Sequence, residues 1–522
     1  MPIPLIDLFA GPGGLNEGFS SLLHPGGKRV FGSAISIEME QWAHRTLELR
    51  ALFRKLHDHG ETKQYYRYLR DEVSRDELFA SAGPLAAEAR SEAVMATLGK
   101  SDSENLEIER KIEAALRKSG SKECVLIGGP PCQAYSLVGR ARRTHDEEFE
   151  DDHKHFLYRE YLNIVRKFRP AVFVMENVPG LLSAKNKGVK MFELILNDLR
   201  DAGYTLHPLN PVDDAGAEED DPRRFVVHAN EFDVPQSRSR VFVLGLRADL
   251  GLSPSTLIRS KQGSVSVADV LSDLPRIRSK LSKDVDNVAN WRSAILELGK
   301  YQFGNLSDDF RKVLTDRLDS LPWSYPLGGR TMPRTKDGPK RLSQWYVDLK
   351  CDVVINHNSR GHMRSDLMRY FYWSLHTEFH GRSPSLSEVP HFLRPKHRNV
   401  TGDATNLPFG DRFRVQVQGK PSTTVVSHIS KDGHYYIHYE PKQCRSLSVR
   451  EAARLQTFPD NYFFEGAATD QYRQVGNAVP PFLARQIAMT VQSILTRSSR
   501  PGGNPEQNPR SARSAEPALS GR

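Results

Sequence analysis

Short apolar runs alternate with helical patterns along much of the chain. Leu5 to Phe9 is a brief apolar strand interrupted by Asp7, followed by Ala10-Gly11-Pro12-Gly13-Gly14. A helical stretch runs from Leu15 to Leu23, and a second strand from Val30 to Ile37 ends at Glu38. Strand, glycine turn, helix and strand open a βαβ unit. Strand signals resume at Cys124–Ile127 and recur at Ala171–Met175 and Val241–Leu244, with helical patterns at Tyr158–Phe168 and Lys190–Ala202. This alternation predicts an open, doubly wound α/β sheet.

The pattern changes twice. Residues 49–119 are rich in Glu, Arg, Lys and Ala at helical spacing, and predict an inserted helical segment outside the sheet. From Leu274 to Gly419 the alternation is lost, and Gly, Pro, Arg, His and aromatic residues become frequent, which predicts a second, irregular domain. Helical character returns at Ser446–Gln456 and Pro481–Leu495, and the Ser-, Pro-, Gly- and Arg-rich tail from Thr496 is expected to be disordered.

Charge sharpens the picture. The net charge is +9, and residues 276–420 alone carry 25 Lys and Arg against 15 Asp and Glu. A polyanionic partner is one reading of that segment and a solvated basic surface the other. A run of about 18 apolar residues, as a membrane span needs, is absent, and the N-terminus does not read as a secretion signal. Four widely spaced cysteines, Cys124, Cys132, Cys351 and Cys444, argue against a disulfide framework or a zinc site. No metal is expected, and the natural setting is a reducing cytoplasm where a free thiol can act as a nucleophile.

Four clusters carry candidate chemistry. The glycines after the first strand allow a ligand close to the backbone, and Glu38 can accept hydrogen bonds from ribose hydroxyls. Tight turns and dinucleotide enzymes use similar loops. Gly128-Gly129-Pro130-Pro131-Cys132-Gln133-Ala134-Tyr135-Ser136 follows the strand ending at Ile127, which places Cys132 at the ligand-binding end of an α/β sheet. A lone cysteine is commonly a buried filler, but a filler needs neither the tandem prolines nor the polar residues after it. Glu176-Asn177-Val178-Pro179-Gly180 ends the next strand, on the same edge as Cys132. Gln236-Ser237-Arg238-Ser239-Arg240 enters the strand Val241–Leu244, and period-2 alternation places Gln236, Arg238 and Arg240 on one face. If that strand runs antiparallel, its start lies at the same crevice.

In this order the clusters resemble the C5-cytosine DNA methyltransferase family. The resemblance continues through Arg450-Glu451-Ala452-Ala453-Arg454-Leu455-Gln456-Thr457-Phe458-Pro459-Asp460 and Gln474-Val475-Gly476-Asn477-Ala478-Val479-Pro480-Pro481. It implies a Rossmann-like S-adenosylmethionine-dependent fold with a smaller target-recognition domain. The implied division is a catalytic domain over 1–275 with the insertion at about 50–119, a recognition domain over 276–420, and a returning catalytic part over 421–495.

The resemblance also implies roles. Cys132 is the nucleophile that adds to carbon 6 of cytosine, Glu176 meets the ring at N3, and Arg240 and Arg238 anchor the base and the catalytic loop. S-adenosyl-L-methionine is held by Phe9, Gly11, Gly13, Gly14, Glu38, Pro131 and Asn477. Gln133, Ser136 and Arg140 lie in a loop that closes over a flipped cytosine in double-stranded DNA. Gln236 and, around a Gly-Gly turn, Arg330, Arg334, Lys336, Lys340 and Arg341 are further DNA-binding candidates. The acidic residue expected at the cofactor's adenine has no clear place, Asp71 and Asp76 being possibilities. A monomeric bacterial modification enzyme of a restriction–modification system fits this reading. The rivals are a tRNA cytosine-5 methyltransferase, a non-catalytic DNA-binding relative, and a Rossmann oxidoreductase suggested by the glycine loop alone.

Overall fold

The computed structural model describes residues 1–131, 157–186, 188–211, 221–301, 303, 306–335, 337–395 and 413–498. Its centre is one sheet. Strands β1 (Ile3–Leu8), β2 (Phe31–Glu38), β3 (Ala93–Met95), β4 (Val125–Gly128), β5 (Val172–Asn177), β6 (Tyr204–Pro208), β7 (Val226–His228) and β8 (Ser239–Arg247) belong to it. The order is β3-β2-β1-β4-β5-β8-β6, with β7 also on β8. β1 to β5 pair in parallel, and β8 runs antiparallel to β5, β6 and β7.

The near-continuous apolar strands follow from burial on both faces. Ile6, Leu8, Leu126 and Phe173 face one core, and Leu5, Val125, Ile127, Val172 and Val174 face the other. Asp7 is buried in the middle of β1, and burial pushes its carboxyl up to about 8.

Helices α1 (Gly14–Ser20), α2 (Gln41–Asp58), α3 (Lys63–Leu69), α4 (Leu157–Phe168) and α5 (Met191–Asp201) come from the first half, and α6 (Arg364–His380) from the basic segment. α7 (Val449–Leu455), α8 (Ala468–Asn477) and α9 (Pro481–Ser498) close the described chain. The C-terminal helix α9 packs on α1. A Cβ on Gly18 would lie 2.4 Å from both the Ala484 Cβ and the Pro481 carbonyl oxygen, so only glycine allows that approach. Beyond Ser498 the tail lies outside the described residues.

Two expectations are corrected. Residues 49–119 are not wholly outside the sheet, because Ala93–Met95 forms its edge strand against Ser36–Glu38. Three residues are too few to show a period of two. The remainder is helical as expected, and α2 and α3 pack Leu52, Phe53, Tyr65 and Leu69 against Cys351, Ile355 and Phe463 from far along the chain. The 276–420 segment is more regular than its composition suggests. Val288–Leu296, Asp308–Asp319 and α6 form a helical core around Trp291, Phe310, Tyr370 and Trp373, which also takes in Ile437 and Cys444. Strands β9 (Gly328–Pro333) and β10 (Val353–Asn358) form a hairpin, so Gly328 and Gly329 open a strand rather than a turn.

Candidate active site

The glycine loop sits between β1 and α1. Phe9, Gly11 and Gly13 all have positive φ, at 54°, 56° and 92°. A Cβ on Gly13 would lie 2.8 Å from Leu47, and one on Gly14 would lie 2.2 Å from the Val479 carbonyl oxygen. The second contact brings the Gln474–Pro481 segment against the loop. Asn477 is exposed at the end of α8, beside this junction. Above Gly11 a Cβ would meet nothing within 4 Å, so the loop has an open side.

Glu38 ties the end of β2 to that loop. Its Oε2 accepts from the Gly11 N–H and its Oε1 from the Glu40 N–H, both at 2.8 Å. Burial raises its pKa, and the surrounding backbone N–H groups oppose that rise. Each carboxylate oxygen still has acceptor capacity.

Glu176 and Arg240 meet at the carboxyl ends of the parallel strands. β8 is antiparallel, with Phe242 opposite Glu176, so its start reaches the crevice at the end of β5. Arg240 Nε lies 3.0 Å from Glu176 Oε1, and each side chain is 14% exposed. Burial pulls the Arg240 guanidinium below its usual range, and the Glu176 charge offsets that pull.

The segment leading to Cys132 is pinned to the same place. Asn177 Nδ2 donates to the Pro130 carbonyl at 3.2 Å, and the Asn177 Oδ1 accepts from the Val178 N–H at 2.8 Å. A Cβ on Gly129 would lie 2.8 Å from Glu176 Oε2, so the strap passes close against the carboxylate. Pro131 is half-buried at its end. Cys132, Gln133, Ser136, Arg140 and Lys336 lie outside the described residues.

The other three thiols are buried. Burial pushes Cys124 up to about 12 and Cys351 up to about 11, and holds Cys444 well above the ordinary thiol range. None of them is suited to form a thiolate at neutral pH.

Two expectations for the Gln236–Arg240 cluster need correction. Gln236 is fully buried and not open to DNA. Its Nε2 donates to the Leu455 carbonyl at 3.1 Å and to Gln456 Oε1 at 2.9 Å, and its Oε1 accepts from the Val425 N–H at 2.8 Å. Arg238 is 2% exposed and donates to the Val425 carbonyl at 2.9 Å, so it anchors the 422–426 segment and not the base. The alternation fails because the strand is broken. The Arg238 N–H bonds the Gln236 carbonyl at 2.9 Å, Gln236–Ser237 pairs with Ser422–Thr423, and β8 begins only at Ser239. The role of Val425, held at both its N–H and its carbonyl, had no signal in the sequence pattern.

The basic candidates divide. Arg334 is largely covered, 2.7 Å from Asp460 and bonded to the Cys351 carbonyl, which removes it from the DNA-facing set. Arg341 pairs with Asp233 at 3.0 Å, and Arg330 with Asp71 at 2.6 Å. Lys340 is exposed. Asp71 is thus engaged with Arg330, and the register places Met95, not Asp71, beside Glu38. Among the described residues no helix is long and apolar enough to cross a membrane.

The profile of the C-5 cytosine-specific DNA methylases matches residues 108–493. Type II methyltransferase M.Bpa9945I of Bacillus paralicheniformis is 33% identical over 94% of this chain and 99% of its own length. Type II methyltransferase M.AgeI of Thalassovita gelatinovora is 28% identical over 74% of this chain and 87% of its own. A solved structure of a candidate DNA modification methyltransferase from an E. coli prophage has a TM-score of 0.51 at 19% identity, covering 95% of this chain and 99% of that one. At that identity the likeness speaks for the fold. With a family match over most of its length and a relative 33% identical across nearly the whole of both chains, the chain belongs to the C-5 cytosine-specific DNA methylases.

Proposed function

We propose that the protein methylates carbon 5 of a flipped cytosine in a specific duplex sequence, through a covalent bond from Cys132 to carbon 6. The observation that supports this most is the strap at Gly129–Pro130, held by Asn177 against the Glu176–Arg240 pair. It brings the described chain, as far as Pro131, to the crevice where Glu176 and Arg240 stand together. The burial of the other three thiols leaves Cys132 as the candidate nucleophile.

The described residues fit S-adenosylmethionine. Glu38 keeps acceptor capacity beside the open side of Gly11, with Phe9, Gly13 and Gly14 shaping the loop and Asn477 exposed next to it. When bound there, S-adenosylmethionine supplies an electrophilic methyl group. The Cys132 thiolate adds to carbon 6 and shifts electron density to carbon 5. Glu176 meets the ring at N3 and, by sharing a proton there, neutralises the charge that builds on it. Arg240 holds the ring at its oxygen and keeps Glu176 in place. Once carbon 5 carries the methyl group, a base such as water takes its proton and the bond from carbon 6 to sulfur breaks, which releases Cys132 as the thiolate that added.

The target atom is hidden in a stacked duplex, so extrusion of the base precedes these steps. Type II methyltransferases among the relatives support a place in a restriction–modification system. Bisulfite sequencing of DNA from cells expressing the protein tests the reading. We expect 5-methylcytosine at one position of a single short sequence. Unmodified DNA alongside methylated tRNA would overturn it.

A further inference from the structure

A cavity of about 390 Å³ lies where three parts of the chain meet. Tyr68 comes from α3, Arg330, Ser359 and Arg360 from the hairpin and its exit, and Glu465 and Tyr472 from the C-terminal part. It is separate from the Glu176–Arg240 crevice, sharing no residue with it.

Two guanidinium groups line it, and each is fixed by aromatic rings. Arg330 lies 4.8 Å from the Tyr68 ring centroid and 4.6 Å from that of Phe463, and Arg360 lies 3.8 Å from that of Tyr472. Stacking holds the planes while their edges can still donate. Arg360 also donates to the Ile429 carbonyl. Arg330 pairs with Asp71, whose side chain is 61% exposed, and a rim pair of that kind is weak and exchangeable.

The carboxylate of the cavity is already engaged. Glu465 accepts from the Tyr68 hydroxyl at 2.9 Å and pairs with Arg75 at 3.2 Å. Ser359, among the lining residues, has a buried Oγ with no hydrogen-bond partner among the described residues. The ten-residue helix α8 begins at the wall with Ala468, and Ala467 before it offers no side-chain cap. Two guanidiniums, a hydroxyl and an uncapped helix start suit an oxyanion.

We infer that this cavity holds one backbone phosphate of the DNA duplex, away from the flipped base, with Arg330 and Arg360 as its cationic partners. The inference rests on the DNA reading above. The strand is preferred as the source because the two arginines belong to the segment that carries the chain's cation excess.

The test is equilibrium binding of a duplex with a verified target site, between about 50 and 200 mM salt. In Arg360→Gln we expect the slope of log affinity against log salt to fall by about one, with similar losses on specific and non-specific duplexes. Asn358 is exposed at the cavity wall, and Asn358→Asp should weaken binding in the same uniform way without disturbing packing. Arg360→Lys should keep most of the slope. Wild-type affinity and slope in both Arg360→Gln and Asn358→Asp would overturn the inference, and if Arg360→Gln does not fold, Asn358→Asp decides. A second arm adds inorganic phosphate. If it raises the melting temperature of the wild type but not of Arg360→Gln, while the DNA slope is unchanged, the site takes a free anion and the strand assignment falls. A wild-type protein that neither binds nor methylates any duplex would instead sink the functional reading.

Discussion

Replacing Cys132 with serine is expected to reduce methyl transfer to background while cofactor binding stays near normal. A free thiol ionises with a pKa of about 8.5, within reach of activation by neighbouring charge, whereas a serine hydroxyl does not ionise near neutral pH. Without addition at carbon 6, carbon 5 lacks the electron density to accept a methyl group. The remaining thiols cannot substitute, because Cys124, Cys351 and Cys444 are buried with raised pKa values. The residues proposed to hold the cofactor are contributed by the glycine loop, Glu38 and Asn477, so a calorimetric titration with S-adenosylmethionine should give nearly the wild-type constant. Normal methylation by the serine variant would refute the assigned role.

The second large effect is expected for Glu176→Gln. Glutamine is close to glutamate in size and keeps a carbonyl oxygen that can accept from Arg240, so the fold should persist. What it loses is the exchangeable carboxyl proton. General acid–base groups of this kind typically contribute about 10²- to 10⁴-fold, and kcat should fall by that order. The Michaelis constant for DNA should move much less, because the rest of the interface is unchanged. A variant that keeps its kcat would remove Glu176 from the chemistry.

Much of the candidate site is legible in the sequence. The runs around β1, β2, β4, β5 and β8 were visible because strands buried on both faces are continuous apolar segments. The positions of Glu38, Glu176 and the glycine loop followed from the rule that ligands bind at the carboxyl ends of such strands. Arg240 depended on β8 being antiparallel, which the pairing of Phe242 with Glu176 supplies.

Other features were hidden for physical reasons. The edge strand Ala93–Met95 has too few residues for a periodic signal, and it lies within a long helical insertion. Gln236 and Arg238 obeyed the alternation of a strand that the folded chain interrupts between them and Arg240. Arg334 and Arg341 looked like phosphate contacts, yet their partners Asp460 and Asp233 are more than 100 residues distant in sequence. Charge counting cannot separate a cation that is already paired from one that is free to meet DNA. The helices around Trp291 and Trp373 were masked by the Gly, Pro and His content of their surroundings.

The most direct test is to trap the enzyme on its substrate. A duplex with 5-fluorocytosine at the verified target should halt the reaction after methyl transfer, because fluorine cannot leave as a proton does. Incubated with that duplex and S-adenosylmethionine, the protein is expected to form a covalent DNA adduct whose peptide map ends at Cys132. Full methylation of the ordinary duplex with no adduct on the fluorinated one, or an adduct on any other residue, would contradict the account.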